Sequence, residues 1–185
     1  MLAPAVCRGQ PIAENLIQIS SFTNVALGSG ALPGTADSRV SSLAFDIEAT
    51  YYVTPKVGIG GIFSYQRFVL EGSGGRAQLA NSYYGPTAQL RLPLDERSAF
   101  ILTASAGGIR VGLHNQRADF GDALDLTGIG RFWLAGGGLS FWVTPKATID
   151  LAARYQSSTF RSGQSTSIVS AGLFLGVGVS LYISS

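Results

Sequence analysis

The carboxy-terminal stretch 167–185 constrains the fold more than any other part of the chain. It contains no charged residue and is long enough to be weighed as a membrane-crossing helix, which needs roughly 18 or more apolar residues in succession. Gly172 and Gly176 even supply the small-xxx-small spacing that packs helices in lipid. Yet the stretch alternates. Val169, Ala171, Leu173, Leu175, Val177, Val179, Leu181 and Ile183 are apolar, while Ser170, Gly172, Phe174, Gly176, Gly178, Ser180 and Tyr182 between them are mostly small or polar. A two-residue period puts one apolar face along a strand and cannot build one face of a helix.

The same alternation recurs upstream. Leu43, Phe45, Ile47, Ala49, Tyr51 and Val53 oppose Ala44, Asp46, Glu48, Thr50 and Tyr52. Ala147, Ile149, Leu151, Ala153 and Tyr155 oppose Thr148, Asp150, Ala152, Arg154 and Gln156. No 3.6-residue apolar stripe competes with these runs, so no helix is expected. Three short connections, at 54–56, 93–97 and 144–146, alternate with longer Gly-, Ser- and Asp-rich ones at 28–39, 71–78, 114–128 and 157–166. Eight strands then fall at about 17–27, 40–53, 57–69, 78–92, 98–113, 129–143, 147–157 and 167–183. An even strand count with short turns at one end and longer loops at the other is the layout of a transmembrane β-barrel. The fold class predicted is all-β: an eight-stranded antiparallel transmembrane up-and-down barrel.

Composition agrees with a lipid-facing surface. Only 13% of residues are charged, about half the share of a soluble domain. With 13 Lys and Arg against 11 Asp and Glu, the net charge of +2 leaves no field for a nucleic-acid partner. The lone Cys7 excludes a disulfide scaffold, and the 46% hydrophobic content excludes disorder.

An internal echo joins two of the hairpins. Residues 51–66 read YYVTPKVGIGGIFSYQ and residues 141–156 read FWVTPKATIDLAARYQ, both strand–turn–strand units at the short-turn end. Aromatics cluster near strand ends, where amphipathic rings favour headgroups. Tyr51, Tyr52, Phe100, Phe141, Trp142 and Tyr182 are expected at the short-turn interface, and Phe68, Phe132, Trp133 and Phe160 at the other.

Over about residues 16–183 the chain resembles the small eight-stranded outer-membrane β-barrels of the OmpA/OmpX type, within the porin-family outer-membrane barrel group. The resemblance rests on the YYVTPKVGIGGIFSY hairpin, the GPTAQLRLPL strand and turn, and the alternating AGLFLGVGVSLYI tail. It implies a bacterial outer-membrane location. Two departures stand out. The chain ends Tyr182-Ile183-Ser184-Ser185 rather than on a terminal aromatic, and only six residues precede Cys7, with Ala3-Pro4-Ala5 shaped like a cleavage site. Residues 1–15 are therefore read as the remnant of a signal peptide or an amino-terminal extension, and 16–185 as the barrel.

With the apolar face toward lipid, the interior receives Asp46, Glu48, Gln66, Gln89, Arg91, Arg110, Asp150, Arg154 and Gln156. Three acids and three arginines balance to zero, and burial demands that they pair. Placing Arg110 inside requires a β-bulge at Gly107-Gly108, and Pro86 requires a local irregularity because it cannot donate to the ladder. Asp46 and Glu48, two apart on one strand with arginines nearby, read as structural packing rather than acid/base catalysis. The single His114 supports neither a metal site nor a catalytic triad. The glycine runs 72–75 and 136–138 lead no helix and bind no phosphate. No cofactor, metal or enzymatic activity is expected.

The predicted function is envelope structure or surface interaction through loops, with a side-chain-plugged interior. The third long loop, with Arg117, Asp119, Phe120, Asp122 and Asp125, is the candidate recognition element. Expected partners are outer-membrane lipid and an extracellular ligand, and the chain is expected to be a monomer. The alternative is a narrow porin-like channel for small solutes or ions. A soluble lipocalin-type barrel would need the inverse arrangement, apolar inside and polar outside.

Overall fold

The computed structural model describes residues 15–27, 39–72, 75–116, 128–162 and 167–184. Its strands are β1 (Leu16–Leu27), β2 (Arg39–Tyr52), β3 (Val57–Gly72), β4 (Gly75–Pro93), β5 (Ser98–Gln116), β6 (Gly128–Thr144), β7 (Ala147–Ser162) and β8 (Ser167–Ser184). Each pairs antiparallel with its sequence neighbours, and β8 returns to β1 to close an eight-stranded barrel.

The register sets the barrel's dimensions. Paired residues lead from Leu16 through Tyr52, Gly58, Gln89, Thr103, Gly136, Arg154 and Phe174 to Ala26, so one circuit climbs ten residues of β1. With strands about 4.8 Å apart and a rise of about 3.3 Å per residue, this shear tilts the strands by about 40° and gives a radius of about 8 Å. Each residue then gains about 2.5 Å of height along the barrel axis.

Parity sorts the faces. Along β8, Leu173, Leu175, Val177, Val179, Leu181 and Ile183 are 44–53% exposed, while Phe174, Ser180 and Tyr182 are buried. Ile183 and Leu173 bound an outward apolar band of ten residue steps, about 25 Å in height, which matches the lipid-facing belt of a transmembrane barrel.

The two Thr-Pro-Lys turns of the sequence echo share one local device. Thr54 Oγ1 accepts from Lys56 N at 3.3 Å, and Thr144 Oγ1 accepts from Lys146 N at 3.2 Å. The hydroxyl thus holds the turn where proline lacks a donor.

Several sequence expectations differ from the structure. The connection 157–166 is largely ladder, because β7 runs to Ser162 and stays paired with β6 and β8. The connection 71–78 is not a long loop, because Gly72 pairs with Gly75 and the hairpin ladder continues through the polar residues. Beyond the lipid belt the ladder's hydrogen bonds do not depend on apolar side chains, so composition there resembles a loop. The bulge expected at Gly107-Gly108 is absent: the β5–β6 register runs unbroken from Ser98↔Phe141 to Val111↔Gly128. Finally, Pro86 faces outward and makes no bulge, although the β4–β5 pairing lapses locally at Gly85 and Pro86. It pairs with Gly61 on β3, and the β4–β5 register keeps step across it from Tyr84↔Gly108 to Thr87↔Ser105. Gly85 and Gly107 permit this by close approach. A Cβ on Gly107 would lie 2.7 Å from Gly85 Cα, too near for any side chain.

Candidate functional site

The lumen is layered. At the short-turn end Arg91, Tyr182, Trp142 and Tyr52 converge. Arg91 Nη1 donates to the Tyr182 hydroxyl at 2.6 Å. Its guanidinium also lies 5.1 Å from the Trp142 ring and 5.5 Å from the Tyr182 ring, and the two rings meet at a 43° tilt with centroids 4.7 Å apart. The Tyr52 hydroxyl sits between Gln18 Oε1 at 2.7 Å and the side-chain oxygen of Gln89. A phenol has one proton, so one of these amides presents its nitrogen instead.

The short turns hold this cluster from the backbone. Lys56 O accepts from Arg91 N at 2.7 Å, Arg97 O from Trp142 N at 2.8 Å, and Lys146 O from Tyr182 N at 2.8 Å. Tyr52 O accepts from Asn15 N at 3.0 Å. Each residue of the closure is therefore anchored one strand end away from a turn or from the start of β1.

Above it lies a directed hydroxyl network. Ser180 donates its single proton to Asp150 Oδ2, so it must accept from Ser20 Oγ at 2.8 Å and from Gln18 Nε2 at 2.9 Å. Thr148 Oγ1 donates to Asp150 Oδ1 at 3.0 Å. Asp150 thus terminates a chain of neutral donors and pairs with no arginine among the described residues.

The middle layer centres on Arg154. Its Nη1 lies 2.6 Å from Glu48 Oε1 and 3.2 Å from Asp46 Oδ2. Its guanidinium covers the Phe22 ring at 4.1 Å, and Asn24 Nδ2 donates to Asp46 Oδ2 at 2.7 Å. The Glu48 contact is an ion pair lacking hydrogen-bond alignment, and Glu48 Oε2 has no hydrogen-bond partner among the described residues. Inward glycines make room here. A Cβ on Gly136 would lie 2.8 Å from Arg154 Cγ, and one on Gly178 would meet the Phe22 ring.

Toward the loop end the filling turns apolar. Ile109, Val111, Phe132, Leu134 and Phe160 are buried, with Tyr83 and Phe132 edge-to-face at 5.3 Å. Gln66 donates to Ser42 Oγ at 3.1 Å and accepts from Gln156 Nε2 at 3.4 Å. Between these layers a cavity of about 20 Å³, lined by Phe22, Gln89, Ile101, Thr103, Asp150 and Arg154 among others, has room for about one water.

Several predicted positions change. Arg110 is exposed on the outer wall, because the alternation continues through Gly107-Gly108 and turns Ile109 and Val111 inward. An apolar-outward rule fails above the lipid belt, where the lumen itself is packed with apolar groups. The interior described is therefore three acids, Asp46, Glu48 and Asp150, against two arginines, Arg91 and Arg154. Tyr52, Trp142 and Tyr182 belong to the lumen closure, and Phe132 and Phe160 to the apolar filling at the loop end, rather than to an interface girdle; the Phe68 side chain lies outside the described residues. The strand-end position of Tyr52, Trp142 and Tyr182 suited either role. Parity against Thr50, Ser140 and Ser180 was the signal that separates them.

Tyr51 and Phe141 are each 40% exposed on the outer wall, and Phe100 lies there against the open face of Gly137. Trp133 faces outward beside Tyr155, with centroids 5.4 Å apart. Arg117, Asp119, Phe120, Asp122 and Asp125, and the segment 1–14, lie outside the described residues. Among the described residues no group of three or more acidic, His or Cys side chains could hold a metal ion.

No protein-family model matches the sequence, and no curated protein matches it either. Solved structures match across almost its whole length. OprG from Pseudomonas aeruginosa superposes with a TM-score of 0.58 at 13% identity, covering 97% of this chain and 100% of OprG. Neisserial surface protein A gives 0.57 at 21% identity, covering 90% and 95%. Ail of Yersinia pestis gives 0.55 at 19% identity, covering 92% and 99%. Ail has also been crystallised with the heparin analogue sucrose octasulfate. At these identities the likeness is one of fold: this chain has the fold of the small eight-stranded outer-membrane β-barrels.

Proposed function

We propose that this chain is an integral protein of a bacterial outer membrane, serving envelope structure or surface interaction through the segments at its long-loop end. The observation that carries this reading is the pairing of a continuous apolar outer belt with a filled lumen. Arg91, Tyr182, Trp142 and Tyr52 close one end, and the Asp46–Arg154–Glu48 cluster fills the middle. A barrel of this size has an interior just wide enough for side chains, which favours a plug over an open pore. The reading assigns it no catalytic role and treats it as a monomer. The solved complex of Ail with an anionic sugar analogue supports ligand capture at the surface of such a scaffold. Membrane fractionation with heat-modifiable gel mobility tests the reading. Recovery in the outer membrane with a mobility shift on boiling is expected; a soluble periplasmic chain without the shift would overturn it.

A second reading, a narrow conductor of small cations, is favoured by one observation. The lumen carries one more carboxylate than arginine among the described residues. Cation-selective conductance in planar bilayers, increasing when Arg91 is replaced by Ala, would support it over the plugged barrel.

A further inference from the structure

The three arginines Arg110, Arg131 and Arg161 stand together on the outer wall at the loop end. All three are exposed. Arg110 on β5 and Arg161 on β7 both pair with Ile129 of β6, which is 76% exposed between them. Arg131 lies two residues further down β6 and pairs with Gly108 and Thr159, diagonal to both other arginines. Diagonal neighbours on one face sit about 7–8 Å apart, so the three stems form a compact triangle. Among the described residues none of them meets a carboxylate within salt-bridge distance.

Height gives the triangle its meaning. Trp133, two residues below Arg131, belongs with Tyr155 to the aromatic pair that tops the apolar belt. Arg131 is thus about 5 Å above that pair, with Arg110 close to its level and Arg161 somewhat higher. Headgroups begin where the aromatic rings end. A guanidinium there faces phosphate, which it binds through parallel N–H donors. Like charges this close would repel one another without a shared anion.

We propose that Arg110, Arg131 and Arg161 bind a phosphorylated lipid headgroup of the membrane leaflet at the loop end. This rests on the outer-membrane reading, and its test is separable from fractionation. The purified chain in detergent is titrated with diphosphoryl lipid A, monophosphoryl lipid A and phosphatidylcholine, and bound lipid is counted by native mass spectrometry. The wild-type chain should retain diphosphoryl lipid A in preference to phosphatidylcholine. The variant R110Q/R131Q/R161Q should lose about tenfold in apparent affinity, whereas K56Q/R97Q/K146Q at the opposite end should not. Heat-modifiable mobility verifies that each variant is folded, and Arg131→Gln alone serves if the triple variant is not. Equal binding by wild type and the triple variant would overturn the proposal. So would equal losses in both triple variants, which would indicate diffuse charge. A wild-type chain without preference that gains it in D119N/D122N/D125N would assign the arginines to the loop and overturn it as well.

Discussion

Arg154 reaches Glu48 across the lumen with 2.6 Å between Nη1 and Oε1, and both side chains are less than 5% exposed. The same nitrogen faces Asp46 at 3.2 Å, so one guanidinium compensates two carboxylates. Replacing Arg154 with Met leaves both buried without it. Removing one partner of a buried ion pair costs about 3–5 kcal/mol, and urea unfolding in lipid vesicles should show a loss of that order. Adding D46N and E48Q to R154M should recover most of it, because the uncompensated charges go with the cation.

The closure at the short-turn end joins a charged hydrogen bond to two ring contacts. Arg91→Ala should therefore cost about 2–4 kcal/mol in the same measurement. Tyr182→Phe, which keeps the ring and removes only the hydroxyl at 2.6 Å from Arg91 Nη1, should cost about 1–3 kcal/mol.

The two tryptophans report opposite environments. Trp133 is 49% exposed on the outer wall, whereas Trp142 packs against Tyr182 and Arg91. In vesicles of brominated lipid, fluorescence of the Trp142→Phe variant, from Trp133 alone, should be strongly quenched. Fluorescence of Trp133→Phe should be quenched far less.

Lumen glycines should tolerate substitution less than wall glycines. Gly136→Val would drive a side chain against Arg154, whose Cα lies 2.7 Å from the added Cβ. Overpacking costs about 1–3 kcal/mol, and a reduced folded fraction on unboiled gels is expected. Gly61→Ala meets only Gly85 O, at 3.8 Å, and should fold as the wild type does.

In the turn between β4 and β5, the Arg97 amide donates to Asp95 Oδ1 at 2.7 Å and holds that carboxyl below its ordinary value of 3.8. A lowered folded value means the carboxylate stabilises the turn above pH 3.8, an effect lost as pH falls through the lower value. Asp95→Asn should therefore be slightly less stable than wild type at neutral pH. The difference should vanish in strong acid; a difference unchanged between pH 7 and pH 2 would contradict this account.

Strand number, order and inside-out polarity were legible because each follows from a two-residue period. The alternation of β8 alone excludes a helix, and parity in β2 and β7 places Asp46, Glu48, Asp150 and Arg154 on one face. Arg110 was misplaced because its neighbours Ile109 and Val111 are apolar, and within the lipid belt apolar residues face outward. Tyr52, Trp142 and Tyr182 were misplaced because a strand end adjoins both a membrane interface and a lumen mouth.

By itself, then, the sequence determined an eight-stranded barrel with a lipid-facing belt, since periodicity and turn spacing are local properties of the chain. Tertiary structure alone decided which charges meet. A shear of ten carries the pairing circuit from Tyr52 around to Arg154 and places that arginine between Glu48 and Asp46 of β2. It also left Arg110 outside, on the wall it shares with Arg131 and Arg161, because an unbroken β5–β6 ladder does not permit a change of face. Register is set by closure of the whole ring, and no single strand contains it.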